Sequence, residues 1–218
     1  YNEERNILST INQIKDLKND KILINDGSND KSFSLLTQNY KKKTLNHKKN
    51  FGYGRAVKTA ANYAKKKRYN YLVIFPGDNQ RNSGDIYRMY KYIIKNNLDC
   101  VIGSKFHLLK NIPLRRKIGN ILFSYFSRLW NNKTKDVLSG FKMYNVQKCI
   151  KIINKCPDDY SFDVIFNLIS NHKKLKFKEV NVKCNYRNQT SKIQSLFKTF
   201  VKLSTRCIYY YIKYNIIK

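Results

Sequence analysis

The chain has 218 residues, a length that suits one domain with a tail and that buries a core without disulfide staples. It carries 44 Lys and Arg against 14 Asp and Glu, a formal net charge of +30, which alone would suit nucleic acid or an anionic membrane. No RNA- or DNA-binding motif accompanies that charge, and the basic residues spread along the whole chain, so a nucleic-acid partner is not expected. The joint abundance of Lys, Asn, Ile and Tyr points to compositional drift as the larger cause of the charge, with membrane attraction as a consequence. The five cysteines (Cys100, Cys149, Cys156, Cys184, Cys207) form no CxxC pair, which argues for reduced thiols in a cytosolic setting and against a structural zinc site. No run reaches the roughly 18 apolar residues of a membrane-spanning helix, and the first residues do not read as a signal peptide.

The chain opens on a polar loop, Tyr1-Asn2-Glu3-Glu4, and passes straight into a helix over 6–17 with Ile7, Leu8, Ile11, Ile14 and Leu17 on one face. Residues 21–25 (KILIN) read as a short strand running into Asp26-Gly27-Ser28-Asn29-Asp30. There Gly27 permits a tight turn, and Ser28 or Asp30 caps a helix over about 31–40. A strand over 43–46 and the segment Asn50-Phe51-Gly52-Tyr53-Gly54-Arg55-Ala56 come next, the latter opening a helix to about Lys66. Residues 71–75 (YLVIF) are apolar without alternation, as in a central strand buried on both faces. Pro76-Gly77 breaks the run, and Asp78-Asn79-Gln80 follow. A helix over 83–96 and a strand over 99–103 complete an alternation that predicts an α/β sheet. The second half reads as a helix over 113–131, loop and strand over 135–144, a helix over 163–170, a half-exposed strand over 176–186, and a basic, aromatic helical tail over 191–218. An α/β sheet of this order would lack its first strand in the sequence as given.

Open α/β sheets bind ligands at the carboxyl ends of their strands. The loops 25–30, 50–54, 76–80 and 104–105 each follow a strand, so they are expected on one edge, with Tyr1–Glu4 beside them. They bring together Asp26, Asp30, Asp78, Gln80, Lys105 and the N–H groups of helix starts, a set that suits Mg2+ or Mn2+ on a diphosphate. Asp78 and Gln80, two residues apart, are the candidate metal ligands. A Ser-His-Asp or thiol mechanism does not fit, because His47, His107 and His172 stand far apart in the chain. Each signal alone has a plainer reading: a turn and cap at Asp26, a partial glycine loop at 50–54 without the full GxGxxG, a helix cap at Asp78, one lysine among many at Lys105. Their shared position after consecutive strands favours a site.

Six motifs in order then resemble those of family 2 glycosyltransferases: Tyr1-Asn2-Glu3-Glu4, Asn25-Asp26-Gly27-Ser28-Asn29-Asp30, Asn50-x-Gly52-x-Gly54-x-Ala56, Asp78-Asn79-Gln80, Gly103-Ser104-Lys105 and Asp136-x-x-Ser139-Gly140-Phe141-Lys142. The nearest subgroup is similar to the polyprenyl-phosphate sugar synthases. The resemblance implies a GT-A fold, Rossmann-like, with a mixed, mostly parallel sheet flanked by helices, spanning 1–190, and a C-terminal tail over 191–218. It implies donor contacts from Tyr1, Asn2, Glu3, Asn25, Asp26, Ser28, Asn50, Gly52, Gly54 and Asp78. It implies acceptor contacts from Arg115, Arg116, Ser139, Lys142, Asp163, Ser191 and Lys192, and catalytic roles for Asp78, Lys105, Asp136 and Arg187. Asn25 and Pro76 stand where the family usually has acids, and Lys105 where it commonly has Arg, which loses bidentate phosphate geometry.

The activity so implied is inverting transfer of a hexose from a UDP- or GDP-sugar in cell-envelope glycan synthesis. A polyprenyl phosphate acceptor is already anionic and needs no general base. A sugar hydroxyl acceptor would need one, and Asp136 and Asp163 are both candidates. The tail mixes Phe197, Phe200, Val201, Leu203, Ile208, Tyr209, Tyr210, Tyr211, Ile212 and Tyr214 with Lys198, Lys202, Arg206 and Lys213. It suits either a helix lying on an anionic leaflet or one packed on the domain. The expected place is cytoplasmic, peripheral on the inner face of the membrane. The competing class is a non-catalytic binder of polyanions.

Overall fold

The computed structural model describes residues 1–111, 117–118, 121, 124–125, 134–185 and 196–215. The chain forms α1 (Ile7–Ile14), β1 (Leu23–Asn25), α2 (Ser32–Tyr40), β2 (Thr44–Asn46), α3 (Tyr53–Lys66), β3 (Tyr71–Ile74), α4 (Gly84–Lys95), β4 (Cys100–Ser104), β5 (Lys142–Asn145), α5 (Val146–Lys155), α6 (Phe162–His172), β6 (Phe177–Asn181) and α7 (Leu196–Asn215). Short 3-10 turns lie at Lys41–Lys43 and Phe106–Asn111. The expected helix over 113–131 falls largely outside the described residues.

Two sheets form. β1 and β2 pair in parallel. The other four strands are ordered β3-β5-β4-β6. In that sheet β5 runs against both of its neighbours and β6 runs with β4. Thus β3, β4 and β6 point one way and β5 alone points back, which is the mixed, mostly parallel sheet that the motifs imply.

Side-chain alternation along the strands splits the core into two layers. Cys100 and Ile102 of β4 and Tyr144 of β5 face α5, α6 and α7, where they meet Ile150, Ile153, Phe162, Ile165, Phe166, Ile169, Leu203 and Cys207. Val101 and Met143 face the other way, toward Ile86, Met89 and Ile93 of α4. Full burial of such side chains contributes about 1.5–3 kcal/mol each, so the helices on both faces are held chiefly by this packing. On α3 the buried positions are Gly54, Val57, Ala60, Ala61 and Ala64, a small-residue face that lets the helix sit close to its neighbours.

Three expectations are corrected. β3 is covered on both faces, with Leu72 and Ile74 against one layer and Tyr71, Val73 and Phe75 against the other. Its residues nonetheless keep partial exposure, because β3 has only β5 beside it and so ends the four-stranded sheet. The helix α5 was not foreseen, although Asn145 caps it by accepting from the Lys148 N–H (3.2 Å) and Val146, Cys149, Ile150 and Ile153 form its buried face. The strand expected over 176–186 ends at Asn181, and the chain beyond it leaves the sheet.

Candidate active site

Because β3, β4 and β6 run together, their carboxyl ends share an edge with the amino end of β5. The segments 76–81, 104–106, 134–141 and 182–185 meet there. Asn79 takes a positive φ of 56°, a conformation that asparagine tolerates, and this turns the chain sharply after Asp78. The turn is pinned from α1: Gln13 Nε2 donates to Asn79 Oδ1 (2.6 Å), and Thr10 Oγ1 lies 3.1 Å from the Gly77 carbonyl. Asp78 Oδ1 accepts the Gln80 N–H (3.1 Å). On the far side the Asn185 N–H donates to the Gln80 carbonyl (2.9 Å), Arg81 bridges Cys184, and the Lys183 N–H donates to Asp85 Oδ2 (2.8 Å).

After β4, the Lys105 N–H donates to Asp136 Oδ2 (2.9 Å), while the Asp136 N–H donates to Glu179 Oε1 (2.6 Å). Burial holds the Lys105 ammonium below the ordinary lysine range. Asp136 and Asp78 pull it back up, and Arg81 pushes the same way as burial. Those interactions put Asp78, Arg81 and Asp136 each within electrostatic reach of Lys105. Gly103 is required by close approach: a Cβ there would lie 2.8 Å from the Phe141 ring and 3.0 Å from Val182.

Beneath this cluster lies an interior pair. Lys142 Nζ meets Asp163 Oδ1 at 2.5 Å with the lysine fully buried. The Tyr53 hydroxyl donates to the Gly140 carbonyl (3.2 Å) and also neighbours Asp163. Burial pushes the Asp163 carboxyl up, and Lys142 and Tyr53 oppose that shift. Ser139 Oγ, also buried, donates to the Gly103 carbonyl (2.6 Å). Ser139, Lys142 and Asp163, expected as acceptor contacts, are therefore brought together, but as buried groups whose polar atoms meet the protein itself.

The expected donor loops also assemble. The Asn2 N–H donates to Ser28 Oγ (3.0 Å) and the Glu3 N–H to Ser32 Oγ (2.8 Å), while Glu3 Cγ lies 4.0 Å from where a Gly77 Cβ would stand. Tyr1 is exposed at their rim, with its hydroxyl 3.3 Å from Asn29 Nδ2. Asp26 is buried and accepts the Phe51 N–H (3.1 Å), the Gly52 N–H (2.8 Å) and a bond from His47 Nδ1 (2.6 Å). Asn25 Nδ2 donates to Asn46 Oδ1 (2.5 Å). Gly52, with φ 103°, and Gly54 have a packing reason: a Cβ would stand 2.6 Å from the Asp158 carbonyl oxygen in one case and 2.2 Å from that of Pro157 in the other. Asn50 is exposed. Arg115, Arg116, Arg187, Ser191 and Lys192 lie outside the described residues.

One residue of this cluster carried no signal that the sequence reading used. Arg81 is 5% exposed, lies over the Phe141 ring (5.8 Å), and has no hydrogen-bond partner for Nε or Nη1. Asp136 Oδ1 is likewise buried without a partner. Arg81 follows Asp78-Asn79-Gln80 directly, so its place in the strand-end loop was the available clue.

Among the described residues no group of three or more His, Cys, Asp or Glu side chains could cage a metal ion. What is present, one loop carboxylate and a neighbouring amide, fits a magnesium- or manganese-like ion. Such an ion takes one or two protein carboxylates and fills its shell with substrate phosphates and water.

A family model described as glycosyl transferase family 2 matches residues 1–153. An uncharacterized protein of Methanocaldococcus jannaschii is 27% identical over 93% of this chain and 95% of its own length. UDP-N-acetylglucosamine--dolichyl-phosphate N-acetylglucosaminyltransferase of Methanococcus voltae is 25% identical over 93% of this chain and 91% of its own. Among solved structures, glucosyl-3-phosphoglycerate synthase from Mycobacterium tuberculosis in complex with UDP superimposes with a TM-score of 0.69 at 14% identity. That match covers 97% of this chain and 76% of that one. The same synthase with Mn2+ and UDP-glucose gives 0.64 at 15%, over 97% and 75%. Sheet order, strand-end loops and the family match agree: the chain belongs to glycosyl transferase family 2 and is a glycosyltransferase with the GT-A fold.

Proposed function

We propose that the chain transfers a sugar from a nucleoside-diphosphate sugar to a polyprenyl phosphate at a membrane surface. The observation that carries this reading is the state of Asp163. As one of the two candidate bases, it is buried and its carboxylate already meets the buried Lys142 ammonium at 2.5 Å, so it is turned to the protein and not presented to a substrate hydroxyl. An acceptor whose oxygen is already anionic needs no proton removed. The Methanococcus voltae relative, named for a dolichyl-phosphate acceptor and matched over 93% of this chain, supports the same acceptor class.

In this reading the acceptor phosphate oxygen attacks the anomeric carbon from the face opposite the diphosphate, the bond to the diphosphate oxygen breaks, and the configuration inverts. Asp78, with Gln80 beside it, would hold the Mg2+ or Mn2+, which supplies Lewis-acid neutralisation of the departing diphosphate. Lys105 adds fixed positive potential where that charge develops. The Tyr1–Glu3 loop, Asn25, Asp26, Ser28 and the 50–54 loop shape the nucleoside end. Arg115, Arg116, Arg187, Ser191 and Lys192 remain proposed for the acceptor and for closure over it. Lys142, Asp163 and Ser139 act as positioning residues that hold the floor.

The outer face of α7 supports membrane contact. Leu203 and Cys207 pack inward, while Val201, Ile208, Tyr209 and Ile212 are exposed beside Lys198, Lys202 and Lys213, a mixture that suits the interface of an anionic leaflet. None of the described helices is long and apolar enough to cross a membrane.

The second reading, a sugar hydroxyl acceptor, is favoured by Asp136, whose Oδ1 has no partner and would serve as base. The test is transfer from UDP- and GDP-sugars with Mn2+ to short polyprenyl phosphates or to glycans, using wild type and Asp136→Asn. Transfer to the phosphate surviving in Asp136→Asn supports the first reading. Transfer only to glycans, lost in that variant, replaces it. Absence of transfer from any donor rejects both.

A further inference from the structure

Arg81 is a buried cation whose Nε and Nη1 bond nothing among the described residues. Buried polar groups are almost always paired, so two bare donor nitrogens on a buried guanidinium call for an acceptor. Phe141 offers only a ring face at 5.8 Å. Lys105 is a second cation within reach, and the two disfavour each other. The backbone on either side is fixed, by the bridge to Cys184 and by the Asn185 bond to Gln80, so the side chain is held at the site with Nε and Nη1 unused. A second, independent signal is the partnerless Asp136 Oδ1 in the same cluster. One buried group lacks an acceptor and the other lacks a donor. A phosphorylated, hydroxyl-bearing ligand would supply both.

We propose that Arg81 is a phosphate anchor, its Nε–H and Nη1–H groups donating to phosphoryl oxygens of a bound substrate, with Asp136 Oδ1 accepting from a hydroxyl of the same bound assembly. The inference rests on the sugar-transfer reading for the identity of the substrates. The phosphate belongs either to the donor diphosphate or to the acceptor monophosphate. A planar guanidinium suits either, since it offers two parallel donors to phosphate oxygens, and unlike a metal it needs no further ligands from the protein.

The test is calorimetric titration of the full chain, wild type, Arg81→Gln and Arg81→Met, with UDP, GDP, farnesyl phosphate and inorganic pyrophosphate, each with Mn2+ and with EDTA. The methionine variant removes the unpaired charge at similar volume and keeps the comparison available should the glutamine variant fail to fold. Loss of about 10- to 100-fold is expected for the phosphate that Arg81 holds, the size of a hydrogen bond to a charged group. The loss should persist in EDTA. Loss confined to UDP or GDP assigns the anchor to the donor; loss confined to farnesyl phosphate assigns it to the acceptor. Unchanged affinity for every probe in folded variants overturns the proposal. Wild type that binds pyrophosphate through Arg81 but neither nucleotide nor farnesyl phosphate keeps the anchor and rejects the sugar-transfer reading. Wild type that binds no phosphate rejects both.

Discussion

The lobe around β1 and β2 and the edge shared by β3, β4 and β5 treat buried polar groups in opposite ways. In the first, Asp26 accepts from two backbone N–H groups and from His47, whose other ring nitrogen lies 2.9 Å from Thr59 Oγ1. Gly27, Gly52 and Gly54 stand where a Cβ would collide with backbone. In the second, Arg81 and Asp136 keep atoms that nothing among the described residues satisfies. A motif can be present because its residues hold one another or because they wait for a ligand, and hydrogen-bond accounting separates the two. The first lobe is built for shape; the second is built for substrate.

The largest expected effect on stability lies in the first lobe. Asp26→Ala strands the Phe51 and Gly52 N–H groups and His47, and should cost about 2–4 kcal/mol in denaturant unfolding, as the sum of several unsatisfied groups. Loss of donor affinity with unchanged stability would place Asp26 with the substrate instead and break the contrast. At the other edge, Asp78→Ala should lower kcat/KM for sugar transfer by about 100-fold or more, equivalent to about 2.7 kcal/mol of transition-state stabilisation. Arg81→Met should raise stability by about 1–2 kcal/mol, because it removes buried donors without acceptors and a like charge beside Lys105. A melting temperature that falls instead would show that Arg81 is a strut.

The sequence made most of the frame legible, and the physical reasons are specific. An apolar run at 71–75 and the short Cys100-Val101-Ile102 core of 99–103 announced β3 and β4, period-3.6 faces announced α1 and α4, and the glycine segment at 50–56 announced the start of α3. The edge position of β3 was not legible, since an apolar run reports burial of faces and says nothing about neighbours in the hydrogen-bonding direction. The reversal of β5 was hidden for the same reason. Helix α5 was passed over because it follows β5 with no glycine or proline between them, its start marked only by Asn145. In the site, Asp78 and Lys105 were singled out by their loop positions, and Asp136 only by its place in a motif that resembles the family's. Asp163 and Lys142 were legible as residues but not as partners, because 21 positions separate them and only the packing of α6 on β5 joins them. Arg81 was marked only by its place in the strand-end loop, since among 44 basic residues nothing in the sequence announces which are buried.

Lys105 gives the finest test of the contrast, through pH. Burial lowers its ionisation, Arg81 adds to the lowering, and Asp136 and Asp78 oppose it. The site therefore loses this cation at a lower pH than an ordinary lysine would allow. Donor affinity should fall as pH rises through that depressed value. Stability should rise from there toward the unfolded-state value near 10.4, because over that interval the unfolded chain holds the proton and the folded chain does not. A bound diphosphate adds negative charge beside Lys105 and restores its proton. Titration of UDP in alkaline buffers of different ionisation enthalpy should accordingly show proton uptake. In Arg81→Met the like charge is gone, so the loss of affinity should move to higher pH and the uptake should shrink. An affinity that stays flat to the ordinary lysine range in both proteins would mean that Lys105 already has its anion within the protein, and that the edge is as self-satisfied as the lobe around Asp26.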